Sequence, residues 1–225
     1  MNFLYILSED DNDDAFYKKC IEKITGKPFE LIPRRIRKGG GISQVRKHMP
    51  YLFRDINYAG SVDSTYFVIA LDNDRSPVHP DHKKIPGFQK LSKKEQKKTC
   101  RFCEIERKIF EILGDDRQKW PIPGAIAIPV QMIESWLLLI SDSEQYKNEE
   151  SLPLFAKEES PPAQRYYGKK PENQLKDLCK IQKEKLGINS SEEFCSYCAE
   201  NLVPEDLKKI SPSFDLFEEQ VNEWE

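Results

Sequence analysis

Tyr66-Phe67-Val68-Ile69-Ala70-Leu71-Asp72-Asn73-Asp74-Arg75 is the stretch from which the fold can be read. Six consecutive apolar or aromatic residues, with β-branched Val68 and Ile69 at the centre, read as a strand buried on both faces. Such strands occur in parallel sheets covered by helices. The run stops at two carboxylates. Ligands of open α/β sheets collect at the carboxyl ends of the strands, so Asp72 and Asp74 stand where chemistry is usually done. Two acids one residue apart can direct oxygens at one divalent cation. Asp and Asn also end strands simply because they favour turns, so other carboxylates must decide between the two readings.

Working outward, Asn2 to Leu7 is a second short apolar strand, and it too runs into acids, Ser8-Glu9-Asp10-Asp11-Asn12-Asp13-Asp14. A helix is expected next, with Phe16, Cys20 and Ile24 at intervals of four and Gly26 and Pro28 at its end. Acids at a helix start are favoured by the dipole and by capping, which accounts for most of this cluster. Glu9 differs, since it sits at the strand end itself and shares a rim with Asp72 and Asp74 if the two strands are parallel neighbours. Phe29 to Pro33 reads as a third strand, followed by Gly39-Gly40-Gly41 and a helix from Ile42 to Phe53. The glycines lack the spacing and the Gly-Lys-Ser/Thr ending of a phosphate-binding P-loop. Ala125 to Val130 is the fourth expected strand. The apolar helix after it, Met132, Ile133, Trp136, Leu137 and Ile140, carries Glu134 one turn from the strand end, on the same rim.

Composition sets the class. The chain has 225 residues, 38% hydrophobic and 32% charged, which suits one sizeable globular core and argues against membrane and disordered classes. Phe3 to Leu7 is too short for a secretory h-region, so a cytoplasmic location is the expectation. The formal net charge of −3 is unevenly spread. Arg34 to Arg54 and Lys83 to Lys108 each carry a net +7, whereas Asn189 to Glu225 carries −8. Basic blocks beside a carboxylate cluster suit an enzyme acting on a polyanion, because Lys and Arg hold phosphates by displacing counterions. Charge runs also occur as plain solvated faces.

Between Arg75 and Thr99 lies a Pro- and Lys-rich stretch containing His79 and His82, followed at once by Cys100 and Cys103. Two close pairs of nitrogen and sulfur donors can form a tetrahedral zinc site that stabilises a polar insertion. Alternatively the cysteines are small residues on one face of a helix running through Ile105, Ile109 and Leu113. Cys195 and Cys198, in a helical pattern with Phe194, offer a competing partner pair for Cys100 and Cys103, or are simply buried. The carboxyl-terminal part contains Gly168-Lys169-Lys170-Pro171 opening a helix through Leu175 and Leu178. Ser211 or Ser213 can cap a last helix bearing Phe214, Phe217, Val221 and Trp224.

A glutamate ending the first strand with an acid four residues on, and an Asp-x-Asp ending a later strand, resemble the TOPRIM signature. Here these residues are Glu9, Asp13, Asp72 and Asp74. The Ile128-Pro129 strand end followed by Ile133-Glu134-Ser135-Trp136-Leu137-Leu138, the Gly168-Lys169-Lys170-Pro171 turn, and Ser211-Pro212-Ser213-Phe214 look like the small stand-alone OLD-family branch of TOPRIM nucleases. Asp10 replaces the glycine that usually follows the first glutamate, and the insertion with His79, His82, Cys100 and Cys103 lies outside the minimal pattern. The resemblance implies an α/β, Rossmann-like TOPRIM fold, with about four mainly parallel strands and helices on both faces. It places that core at 1–142, with the basic segment at 75–104, whose His and Cys spacing suggests zinc, as an insertion, and a helical carboxyl-terminal part at 143–225. It further implies hydrolysis of DNA phosphodiesters with Mg²⁺ or Mn²⁺ held by Glu9, Asp72 and Asp74, Asp13 and Glu134 completing a second site. The family's lysine, here Lys169 or Lys170, would neutralise charge on the phosphate. The expected partner is nucleic acid, with DNA the expected substrate, and a partner protein or a homo-oligomer stays open. A non-catalytic nucleic-acid- or partner-binding subunit and a small-molecule phosphoesterase are the alternatives.

Overall fold

The computed structural model describes residues 1–33, 41–59, 63–74, 76, 79, 92, 100–130, 132–145 and 171–224. Strand β1 (Asn2–Leu7) leads into helix α1 (Asp11–Thr25), β2 (Phe29–Leu31), α2 (Ile42–Ala59), β3 (Thr65–Ala70) and α3 (Arg101–Leu113). Then come β4 (Gly124–Ala127), α4 (Glu134–Ser141), α5 (Pro171–Leu186), α6 (Ser191–Asn201), α7 (Pro204–Ile210) and α8 (Pro212–Asn222). The four strands form one parallel sheet in the order β2-β1-β3-β4. Helices cover both faces, an α/β arrangement compatible with a Rossmann-like fold.

Alternation along each strand divides the core into two layers. Leu4, Ile6, Val68 and Ala70 face one layer, built with Phe16 and Cys20 of α1, Trp136 of α4 and apolar residues of α5 to α8. Leu7, Phe67, Ile69 and Leu71 face the other, against Val45, Met49 and Phe53 of α2 and Ile105 and Ile109 of α3. Since α1 and α2 lie on opposite faces, the chain reverses direction across the sheet between β1 and β3. That switch point lies at the carboxyl ends of these two strands, where ligands of open α/β sheets collect.

Several elements end elsewhere than the sequence suggests. Helix α2 continues beyond Phe53 to Ala59 because Ile56, one further turn along, is also buried. The third strand expected at Phe29 to Pro33 stops at Leu31, although the amide of Ile32 still donates to the Leu4 carbonyl at 2.9 Å. Strand β4 ends at Ala127 and not at Val130. Pro129 has no N–H to donate, yet its carbonyl accepts from the amide of Asn73 at 3.1 Å. Gly124 pairs with Phe67, whose ring occupies the space a Cβ would need, with the nearest ring atom 2.0 Å from that position. Helix α4 starts at Glu134, two residues after Met132.

The outer edge of β4 is closed by a side chain. Gln220 of α8 is buried; its Oε1 accepts from the amide of Ile126 and its Nε2 donates to the Ile126 carbonyl, both at 3.1 Å. One amide side chain thereby repeats the donor and acceptor of a missing strand. Trp136, fully buried, joins α4 to α1 and α8. Its indole donates to Ser213 Oγ at 3.1 Å, and its ring meets Tyr17, Phe214 and Phe217 at 5.2 to 6.2 Å. Ser211 occupies the cap position of α8 without a side-chain cap bond, and Ser213 is the partner of the tryptophan.

Candidate metal centres at the strand-end rim

β1 and β3 are hydrogen-bonded in parallel, with Leu7 level with Ile69. Two residues further on, Glu9 stands beside the Leu71-Asp72 peptide, and the amide of Asp72 donates to Glu9 Oε1 at 3.1 Å. The two strand-end acids, 63 positions apart in the chain, therefore share one rim. Asp72 is anchored in turn by the first turn of α4, the amide of Ile133 donating to Asp72 Oδ1 at 2.9 Å. The amide of Gly41 donates to the Glu9 carbonyl at 3.3 Å just before α2 begins. Gly41 holds φ +90°, a conformation that glycine adopts without a steric penalty.

The rim is electrostatically crowded. Burial pushes the pKa of Asp72 well above the usual carboxylate range, and the charges of Glu9, Glu134 and Asp13 push it further. Asp13 is pushed up to about 7 by burial, then by Asp10, Glu134, Asp14 and Glu9. Glu9 is raised by burial and by Asp74, against the opposing effects of the Asp72 amide and Arg101. The charges of Glu9, Asp13 and Glu134 thus all bear on Asp72, and a cation or a proton relieves the repulsion. Ser8 Oγ lies 2.7 Å from Asp14 Oδ1 and 2.7 Å from the Asp10 carbonyl, which ties the start of α1 to the end of β1.

Asp74 is placed differently. It takes the left-handed conformation, φ 49°, and its carboxylate is an ion pair with Arg101, Nη2 to Oδ2 3.1 Å. Arg101 leads on to Glu104 at 3.9 Å, and Glu104 to Arg46 of α2 at 2.7 Å. Sequence reasoning missed Arg101, because one basic residue among the ten from Lys83 to Lys108 carries no mark of its own.

The second set lies beside this ion pair. His79 Nδ1 is 3.6 Å from Cys100 Sγ and 3.3 Å from Cys103 Sγ. A tetrahedral zinc with Zn–S of about 2.3 Å and Zn–N of about 2.05 Å sets its N···S edges near 3.5 Å. This cluster can therefore hold a metal ion such as zinc. Among the described residues, it is the group of His, Cys, Asp and Glu donors gathered within 4.8 Å of one another; the rim carboxylates are more loosely spaced. Cys100 takes the cap position of α3 and Cys103 the third helical position, and the neighbouring Cys103 thiol together with burial pushes the Cys100 thiol up. His82, the fourth expected donor, lies outside the described residues, as do Lys169 and Lys170.

Cys195 and Cys198 do not complete this site. They pack in the layer of α1 and α4, with the sheet between them and Cys100. Cys198 donates to the Leu137 carbonyl at 3.5 Å, and burial together with Asp13 and Glu134 pushes the Cys195 thiol up to about 12. Both are neutral core residues, so the competing cysteine pairing is set aside.

Among the described residues no helix is long and apolar enough to cross a membrane. Comparison of the chain with family models, with curated proteins and with solved structures found no match. The functional reading therefore rests on the residues themselves.

Proposed function

We propose that this protein is a divalent-metal-dependent endonuclease that hydrolyses DNA phosphodiesters, of the kind its resemblance to the OLD branch of TOPRIM nucleases implies, acting in defence or repair. The observation that carries the reading is the hydrogen bond from the Asp72 amide to the Glu9 carboxylate, with Asp13 and Glu134 near enough to raise the pKa of Asp72. An all-oxygen set of half-buried acids suits a hard cation such as Mg²⁺ or Mn²⁺. Glu9 and Asp72 would hold it, with Asp13 and Glu134 extending the set. Such a cation supplies Lewis acidity toward a phosphate oxygen and lowers the pKa of an attacking water. The chain's own residues hold the carboxylates in place: the Asp72 and Ile42 amides donate to Glu9, and the Ile133 amide donates to Asp72 Oδ1. Lys169 or Lys170 neutralises charge on the phosphate, and the basic blocks flanking Gly39 to Gly41 hold the polyanion.

The test is cleavage of plasmid DNA by the purified protein with Mg²⁺ or Mn²⁺. Glu9→Ala and Asp72→Ala are expected to lower the rate by about 10³-fold or more. Undiminished cleavage by both variants sinks the proposal.

A further inference from the structure

Arg101 stands between the two candidate metal sites. Cys100 precedes it, Phe102 and Cys103 follow, and the Phe102 ring stacks on His79 with 4.5 Å between centroids. The thiol and imidazole donors and this stack hold the first turn of α3 on both sides of the arginine. Its side chain is 9% exposed, against 54% for that of Asp74. Nη2 donates to Asp74, Nη1 lies 3.9 Å from Glu104, and the buried Nε has no hydrogen-bond partner. A guanidinium stays charged under all conditions in which a protein is folded, and burying it with a donor unsatisfied costs free energy. Ordinary packing would not select such a group. Its surroundings do: Asp74 is in contact, and Glu9 is within reach of its field.

We infer that Arg101 is a built-in second cation of the rim, neutralising Asp74 so that the carboxylates take a single divalent ion on the Glu9 and Asp72 side. This rests on the reading of the rim as a divalent-cation site. Two-ion phosphodiester hydrolysis places its ions about 3.5–4 Å apart, one for the attacking and one for the leaving oxygen. A guanidinium fixed at Asp74 supplies positive charge beside the rim without dissociating. Arg101 touches Asp74 and not the phosphate, so it is a positioning residue. The histidine and cysteine donors act as the clasp that keeps it there, because they join His79 to the first turn of the helix that carries the arginine.

The experiment counts bound Mn²⁺ by electron paramagnetic resonance on the full chain, supplied with one equivalent of zinc, at pH 7.5. About one Mn²⁺ per chain is expected in the wild type and in Arg101→Lys, and about two in Arg101→Gln with zinc content unchanged. Asp74→Asn is expected to keep the wild-type count, with affinity altered by less than about threefold. Two ions in the wild type, one ion in folded Arg101→Gln, or a loss of more than about tenfold in affinity in Asp74→Asn overturns the inference and leaves the nuclease proposal standing. Absence of Mn²⁺ uptake and of plasmid cleavage in every variant overturns both. Should Arg101→Gln fail to fold, the wild-type count and Asp74→Asn decide.

Discussion

Asp13 is the residue whose protonation should report on the rim most directly. Its folded pKa of about 7 lies above its value in an unfolded chain, near 3.9. The native state therefore binds more protons than the unfolded state between these values, and stability falls as pH rises from about 4 to about 7. Glu9 and Asp72 are shifted in the same direction and add to the slope. In metal-free protein, Asp13→Asn is expected to raise Tm relative to the wild type more at pH 8 than at pH 5. Relief on the order of 1–2 kcal/mol, allowing for the residue's partial exposure, corresponds to about 2–8 °C. Calorimetry at the two pH values checks this, and an equal difference at both would show that Asp13 ionises normally. Because a bound cation relieves the same repulsion, Mg²⁺ should raise the wild-type Tm more at pH 8 than at pH 5.

At the scale of elements, β4 is held on one side by β3 and on the other by a glutamine. Gln220→Leu removes the donor and acceptor that satisfy Ile126, leaving two backbone groups buried without partners. The expected cost is about 2–4 kcal/mol in urea denaturation, with an unchanged slope. A loss under about 0.5 kcal/mol would mean that the Ile126 groups find other partners. The opposite contact of the same strand gives an independent check. Gly124→Ala places a methyl group where the Phe67 ring lies, a ring also wedged against Phe53 and Trp120 at 5.1 and 5.7 Å. With no free rotamer space the ring must push the strand aside, at about 1–3 kcal/mol. The two substitutions act on opposite sides of β4, and comparing them tells edge pairing from overpacking.

The molecule as a whole joins its layers through the carboxyl-terminal helices. Phe194, Cys198, Leu207, Phe214, Phe217 and Val221 share one apolar cluster with Leu4, Ile6 and Val68 of the sheet. A chain ending at residue 145 would expose that face of the sheet and is expected to be insoluble or to lose cooperative unfolding, judged by calorimetry. On the other face, the cluster at His79, Cys100 and Cys103 ties His79 to α3. Metal analysis of protein purified without added metal is expected to find about one zinc per chain, lost in the Cys100→Ser, Cys103→Ser double variant. Zinc retained by that variant would place the site elsewhere.

Hydrophobic periodicity and the strand-ending acids were legible in the chain itself. Asn2 to Leu7 and the run ending at Leu71 declare strands because only a sheet covered on both faces buries such continuous apolar stretches. Glu9, Asp72 and Glu134 could be assigned to one rim because parallel strands put their carboxyl ends together. The pairing of Asp74 with Arg101, the Gln220 closure of β4 and the separation of the two cysteine pairs by the sheet were not legible. Each depends on which side chain a distant helix brings within about 3–4 Å of a partner, a distance that no pattern along the sequence encodes. Local chemistry determined the elements and their acidic ends, and long-range packing alone decided which charges meet.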